Sequence, residues 1–294
     1  MRVLILGATG QLGKEFVRSL TASGTNYSAE KSSPGVAVVK ALPREVDIAD
    51  LRALREAVTQ YKPDWIINAA AYTQVDLAEL DPYEAIATNS GGAANVALCA
   101  QDVGAKLIYF STESVFDGRS TVPYLESDLR NPLSVYSISK LAGEELTGKI
   151  CESSYVLRTS WLYGESTTAN FPARLLANLS ASKGPVPVVT DLVGNPTPVA
   201  LLVNATRALM QSPPETGMYH VCTGGSATKN EWAHAIAQSR GFSQERIIPA
   251  KSSDFFTSAQ RSQHVVLSCE KFLSTGLLAL PHWLDYYPAS EINR

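Results

Sequence analysis

Tyr136 and Lys140 stand four residues apart in Tyr136-Ser137-Ile138-Ser139-Lys140. On a helix that spacing places both side chains on one face, one turn apart. A phenol has a reference pKa of about 10, too high to trade protons efficiently near neutral pH. A neighbouring ammonium stabilises the phenolate, each pKa unit being worth about 1.4 kcal/mol. The pair therefore predicts a tyrosine that moves a proton, with its pKa lowered by Lys140. Taken alone, the same spacing also describes an exposed aromatic–cation pair. Ser111 and Thr112 follow the apolar run KLIYF (106–110), which ends upstream of the pair. From that strand end the Thr112 hydroxyl can reach the same substrate oxygen as Tyr136.

A proton donor of this kind needs an electron source, and the N-terminus offers a place for one. Gly7-Ala8-Thr9-Gly10-Gln11-Leu12-Gly13 follows the apolar run 2–6 and opens helix-like spacing over 11–23. Gly7, Gly10 and Gly13 permit a tight turn and close approach of a pyrophosphate, whose charge favours the positive end of the helix beginning at Gln11 and Leu12. Thr9 lies in the same turn. The spacing is GxxGxxG, and a purely structural turn is the alternative. Glu30, placed near the end of the second strand, would accept hydrogen bonds from an adenosine ribose, whereas Lys31 and Ser32 would hold a 2′-phosphate. The choice between NADH and NADPH stays open, as does a solvated polar turn. Asp47 and Ile48 suit an adenine clamp, or Asp47 caps a helix over 49–61. After Asn68, the methyls of Ala69, Ala70 and Ala71 let a nicotinamide ribose and pyrophosphate lie against the backbone.

These groups need a scaffold that gathers strand ends. The spacing predicts strands over 2–6, 64–68 and 106–110, alternating with helices over 11–23, 49–61 and 82–103. Such alternation implies an α/β fold, a Rossmann-type doubly wound parallel sheet with right-handed crossovers and ligands beyond the carboxyl ends of its strands. From about residue 165 proline and glycine become frequent, as in a smaller C-terminal substrate-binding cap. The expected division is a cofactor-binding domain over 1–164 and a cap over 165–294, with some later segments returning to the first domain.

Composition narrows the function classes. In 294 residues, 45% are hydrophobic and 18% charged, with a net charge of −3. There is no basic footprint for nucleic acid, and no apolar run approaches the roughly 20 residues that cross a bilayer. The first strand runs into the glycine loop without room for a signal peptide, so a cytoplasmic protein is expected. Cys99, Cys151, Cys222 and Cys269 are widely spaced, and the four histidines form no HxxxH pair. Neither a disulfide framework nor a metal site is expected.

The combination of GATGQLG and YSISK with NAAAYTQVDLAE (68–79), Asn89, STESVFDG (111–118), RTSWLYG (158–164), GNPTP (194–198) and GMYHV (217–221) resembles the extended short-chain dehydrogenase/reductase family. The likeness spans most of the chain and is strongest toward its sugar-nucleotide reductases. It implies NADPH or NADH as cofactor and the 4-keto group of a nucleotide-linked deoxysugar as substrate. Thr112 would orient the ketone, Tyr136 would protonate its oxygen, and Lys140 would hold the nicotinamide ribose. Asn89 would relay protons to Lys140 through water, or tie its helix to a neighbouring backbone. Thr73, Val75, Glu113, Trp161, Asn195 and Arg261 would face the substrate, and related reductases can form a homodimer. The chain reads STESVF where the family pattern is STDYVF, has Leu192 for a usual glutamine, and reads RSQHVVL (261–267) for RPxxSxL. Two rival functions stay open here: a non-catalytic NAD(P)-binding regulatory subunit, such as the methionine adenosyltransferase beta subunit, and a sugar-nucleotide epimerase or dehydratase.

Overall fold

The computed structural model describes residues 1–20, 38–41, 46–164, 170–181 and 183–287. Strands β1 (Arg2–Leu6), β2 (Val38–Ala41), β3 (Trp65–Asn68), β4 (Lys106–Thr112) and β5 (Ser154–Thr159) lie parallel in the order β2-β1-β3-β4-β5. The order reverses at β1, which opens a crevice between the ends of β1 and β3. Alternate residues of a strand face opposite sides of its sheet. Val3 and Ile5 pack with Phe16 and Leu20 of α1 (Gln11–Leu20), while Leu4 and Leu6 pack with Leu54 and Val58 of α2 (Leu51–Tyr61). This is a Rossmann-type sheet covered on both faces.

Three local expectations change. The described strand that pairs with β1 on this side is Val38–Ala41, later in the chain than the expected end near Glu30. Glu30, Lys31 and Ser32 themselves lie outside the described residues. Helix α2 is capped by Asp50, whose carboxylate accepts from the Arg52 and Ala53 N–H groups. Asp47 instead accepts from Ala49 N at 2.9 Å, one turn too early to cap.

The single helix expected over 82–103 is divided. After α3 (Val75–Leu80) come α4 (Pro82–Ile86), a π-helical turn over Ala87–Gly92, and α5 (Ala93–Val103). Gly92 allows the wide turn to settle on Ile48, because a Cβ there would sit 2.6 Å from Ile48 Cγ1. Such widened turns recur at functional sites, and this one carries the buried Asn89.

Helix α6 (Val135–Ile150) follows β4, and the second half of the chain builds a separate core. Here β6 (Leu162–Tyr163), α7 (Phe171–Ala181), β7 (Val186–Val189), β8 (Val193–Gly194), β9 (Thr197–Pro198) and α8 (Val199–Gln211) appear in turn. They are followed by β10 (Gly217–His220), β11 (Ala227–Thr228), α9 (Lys229–Ser239) and β12 (Ile247–Ala250). Leu175, Leu179, Val188, Trp232, Ile236 and Trp283 form that core. Two segments go back to the first half: β10 pairs with β5 as the sixth parallel strand, and α8 packs Leu202, Val203 and Leu209 against α1 and the sheet. The cysteines are free thiols, but Cys222 and Cys269, far apart in sequence, approach to 3.1 Å between sulfurs.

Candidate active site

The helix carrying Tyr136 and Lys140 is fixed at several points. Ser134 caps it, accepting from Ser137 N at 3.2 Å. Gly143 lies so close to the π-helical turn that a Cβ would stand 2.0 Å from Asn89 O. The Asn89 amide donates to Tyr72 O at 3.0 Å and Ser139 Oγ at 2.9 Å, and accepts from Tyr72 N at 2.9 Å. Both of its N–H groups are occupied, so Asn89 ties α6 to the segment after β3 and has no donor left for a water relay. On the opposite side the fully buried Glu144 pairs with the fully buried Arg158 of β5, Nε to Oε2 at 3.0 Å.

Tyr136 faces a chain of hydroxyl groups that begins at the end of β4. Ser134, Ser137, Ser114 and Thr112 are joined in series by contacts of 2.8, 3.0 and 3.0 Å, and the Thr112 hydroxyl donates to Glu113 Oε2 at 2.8 Å. Each hydroxyl has one proton, so this last bond sets the direction of donation back to Ser134. Ser114 and Ser137 are working parts of this chain that the spacing of YxxxK did not single out.

The proton chemistry differs from the expectation in one respect. Burial raises the Tyr136 pKa, the Glu113 carboxylate adds to the rise, and the Thr112 hydroxyl opposes it. Lys140 does not lower it here, because its ammonium donates to Phe110 O at 2.7 Å and lies 4.1 Å from the centre of the Tyr109 ring. Burial instead brings the Lys140 pKa down to about 7, with Glu144 resisting. In the protein alone the phenol is therefore held protonated, a donor and not a phenolate.

The glycine loop fits a dinucleotide. Gly7 has φ +73° and lies against Ala69 and Ala70, where a Cβ would meet Ala70 N at 2.4 Å. Gly13 lies over the turn, its Cβ position 2.1 Å from Gly7 O. These two glycines pack helix α1 onto the strand ends. Gly10 has no such crowding and is exposed with Thr9 beside the first turn of α1. Gln11 is half-buried, whereas the Leu12 side chain belongs to the core, leaving only its backbone for a ligand. Ala69 and Ala70 are half-buried and Ala71 is exposed. Among the described residues, the buried Asn68 Nδ2 has no hydrogen-bond partner, and neither has the buried Ser111 Oγ at the end of β4. Asp47 is exposed and available, but Ile48 is buried against Gly92 and its side chain serves packing.

The substrate-side expectations separate. Thr73 is exposed, Val75 half-buried, and Glu113 joins the hydroxyl chain. Trp161 adopts φ +41°, a left-handed conformation uncommon for a bulky residue and typical of constrained sites. Asn195 does not line the site: it is buried, with its amide bonded to Gly225 O at 2.7 Å and Leu267 N at 2.9 Å. Arg261 pairs with Asp76 at 2.6 Å and borders a cavity of about 860 Å³ that Arg119, Phe255 and Phe256 also line. Among the described residues no helix is long and apolar enough to cross a membrane. No cluster of three or more metal-ligating side chains occurs among them.

Comparison with known proteins follows the same outline. The family described as RmlD substrate binding domain matches residues 1–289. The chain belongs to this family. Among RmlD relatives, the spore coat polysaccharide biosynthesis protein SpsK of Bacillus subtilis is 34% identical over 97% of this chain and 94% of its own. The dTDP-4-dehydrorhamnose reductase of Escherichia coli is 32% identical, covering 96% and 94%. The crystal structure of dTDP-4-dehydrorhamnose reductase from Bacillus anthracis in complex with NADP superimposes with a TM-score of 0.88 at 31% identity. It covers 97% of this chain and 98% of that one.

Proposed function

We propose that this protein is an NAD(P)H-dependent oxidoreductase that reduces the 4-keto group of a dTDP-linked 6-deoxysugar, the substrate class of its RmlD relatives. The observation that carries the reading is the Tyr136 phenol, held protonated beside the Thr112 hydroxyl at the carboxyl end of β4. A bound nicotinamide supplies the hydride.

The chain's own residues do the rest. The first turn of α1 and the exposed Gly10 hold the pyrophosphate, while Ala69 to Ala71 leave a flat floor beside it. Thr112 positions the ketone oxygen by turning its one hydroxyl proton from Glu113 Oε2 toward it. Tyr136 delivers its proton to that oxygen as negative charge develops there, the task for which a neutral phenol is suited. Lys140, with a pKa of about 7, can exchange a proton with its surroundings near neutral pH. Residues 1–164 would serve the cofactor and 165–294 mainly the substrate, a division supported by a separate second-half core from which only α8 and β10 join the sheet. Selection between NADH and NADPH is assigned to the stretch that follows Ala41, since it leaves the carboxyl end of β2.

The test is oxidation of NADH and NADPH with a dTDP-4-keto-6-deoxysugar, comparing the native protein with Tyr136→Phe. Turnover that falls at least a hundredfold in the variant, with unchanged cofactor affinity, supports the reading. Cofactor binding without turnover would sink it and favour a regulatory subunit. Release of an epimer or a dehydrated sugar without net cofactor oxidation would replace reduction by another reaction.

A further inference from the structure

Cys222 and Cys269 meet although they stand 47 positions apart in the chain, their sulfurs separated by 3.1 Å. Two sulfurs in ordinary packing would keep a greater distance, since even carbon atoms settle at about 3.5–4.0 Å. A disulfide bond measures about 2.05 Å, so closing it asks for a movement of only about 1 Å.

The neighbouring groups, and not the thiols, hold this geometry. Val221 N donates to Arg158 O at 2.8 Å on one side of Cys222, and Thr223 Oγ1 donates to Pro196 O at 2.8 Å on the other. Ser268, next to Cys269, donates from its N–H to Tyr124 O at 2.8 Å and accepts at its carbonyl from the His220 ring at 3.0 Å. Each cysteine is thus anchored through its own surroundings, and the pair is arranged before any reagent arrives. The two sulfurs differ in access. Cys222 is fully buried among Val115, Phe116, Tyr124, Val265 and Leu267, whereas Cys269 is partly exposed just before α10 (Glu270–Leu273). The bond with Cys269, and then burial, keep the Cys222 thiol protonated, so Cys269 is the sulfur that meets a reagent first.

We propose that Cys222 and Cys269 are a redox-modification site that closes to a reversible disulfide, with a low-molecular-weight disulfide such as oxidised glutathione as the oxidant. The Cys269 thiolate attacks one sulfur of the reagent, expels the other half as a thiol and is left as a mixed disulfide. Cys222 then gives up its proton and attacks the Cys269 sulfur, expelling the second half. Two protein thiols are oxidised, and one small disulfide is reduced to two thiols. The loop closed in this way contains α9, β12 and the residues Phe255, Phe256 and Arg261 that border the cavity. The bond therefore ties that wall of the cavity to the end of β10. This inference is independent of the function proposed above.

The experiment incubates the folded native protein with oxidised glutathione, alkylates the remaining thiols under denaturing conditions and weighs the product. The expected protein has lost two hydrogens, alkylates at only two of its four cysteines and yields a peptide pair joined through Cys222 and Cys269. Cys222→Ser should stop at the mixed disulfide on Cys269, and Cys269→Ser should resist the reagent at Cys222. Crosslinking should also raise the urea midpoint of the native protein, reversibly with dithiothreitol, because it removes freedom from the unfolded chain. Four thiols that all still alkylate, a mixed disulfide that persists in the native protein, or a bond to Cys99 or Cys151 overturns the proposal. A midpoint that does not rise would show that the fold must distort to make the bond, and overturns it as well. All of these refuting results are read on the native protein, so they hold even where a serine variant fails to fold.

Discussion

Lys140 should make the stability of the cofactor-free protein rise with pH in a way that Lys140→Met abolishes. The side chain is 3% exposed, and its pKa falls from 10.5 to about 7 because burial disfavours the ammonium. Between those values the unfolded chain binds a proton at this position that the folded chain has released. Unfolding then takes up a proton and becomes harder as pH rises. A fully developed difference contributes about 1.4 kcal/mol per pH unit. Allowing for partial protonation at the lower limit, the gain from pH 7 to pH 9 is about 2 kcal/mol. Urea unfolding at several pH values, with and without Lys140→Met, reads this directly. The other buried titratable groups, Lys229 and the tyrosines among them, are common to both proteins and cancel in the difference. Losing the bond to Phe110 O offsets the variant's curve by a constant without tilting it. Parallel pH curves for the two proteins would show that Lys140 keeps its charge on folding, and the account of its burial would be wrong.

Other substitutions probe the scaffold. Gly143→Ala drives a methyl against the Asn89 carbonyl and should lower stability by about 1–3 kcal/mol, as overpacking does, measured by urea unfolding. Arg158→Met leaves the buried Glu144 with only the Arg130 guanidinium, 3.5 Å away, and should cost about 3 kcal/mol, the low end for breaking a buried pair. The double change Arg158→Met with Glu144→Leu should recover part of that loss, and a midpoint below that of Arg158→Met alone would refute the explanation. Asn195→Ala should reduce thermal stability while leaving cofactor affinity intact, because its amide joins the 225 and 267 segments; calorimetry and cofactor titration separate the two effects.

The sequence carried much of this architecture because continuous apolar runs mark strands buried on both faces. β1, β3 and β4 were legible for that reason, and the glycine turn was legible from its place between β1 and α1. The second strand was misplaced because Glu30 was positioned by its distance from the glycines. The later apolar run Val38-Val39-Lys40-Ala41 is where the chain actually pairs with β1. The π-helical turn was invisible because apolar spacing does not distinguish a ladder that skips one more residue. YxxxK gave the shared face of Tyr136 and Lys140 but not their partners, so Phe110 O captures the ammonium that was assigned to the phenol. Lys229 carried no signal at all, since the rings around its ammonium come from Trp161, Phe171 and Trp232. Asn195 was read from its motif as a ligand contact, although its amide is consumed by backbone groups that only the fold brings near.

Pairing of β10 with β5 makes the two halves inseparable in the life of the molecule. A chain ending at residue 164 would contain the glycine turn, Thr112, Tyr136 and Lys140, yet its sheet would end at β5 with a row of peptide groups facing nothing. Bare strand edges recruit other strands, so a stalled or clipped product should clump instead of persisting as a smaller cofactor binder. The second half thus closes the sheet edge of the half that carries Tyr136 and Lys140.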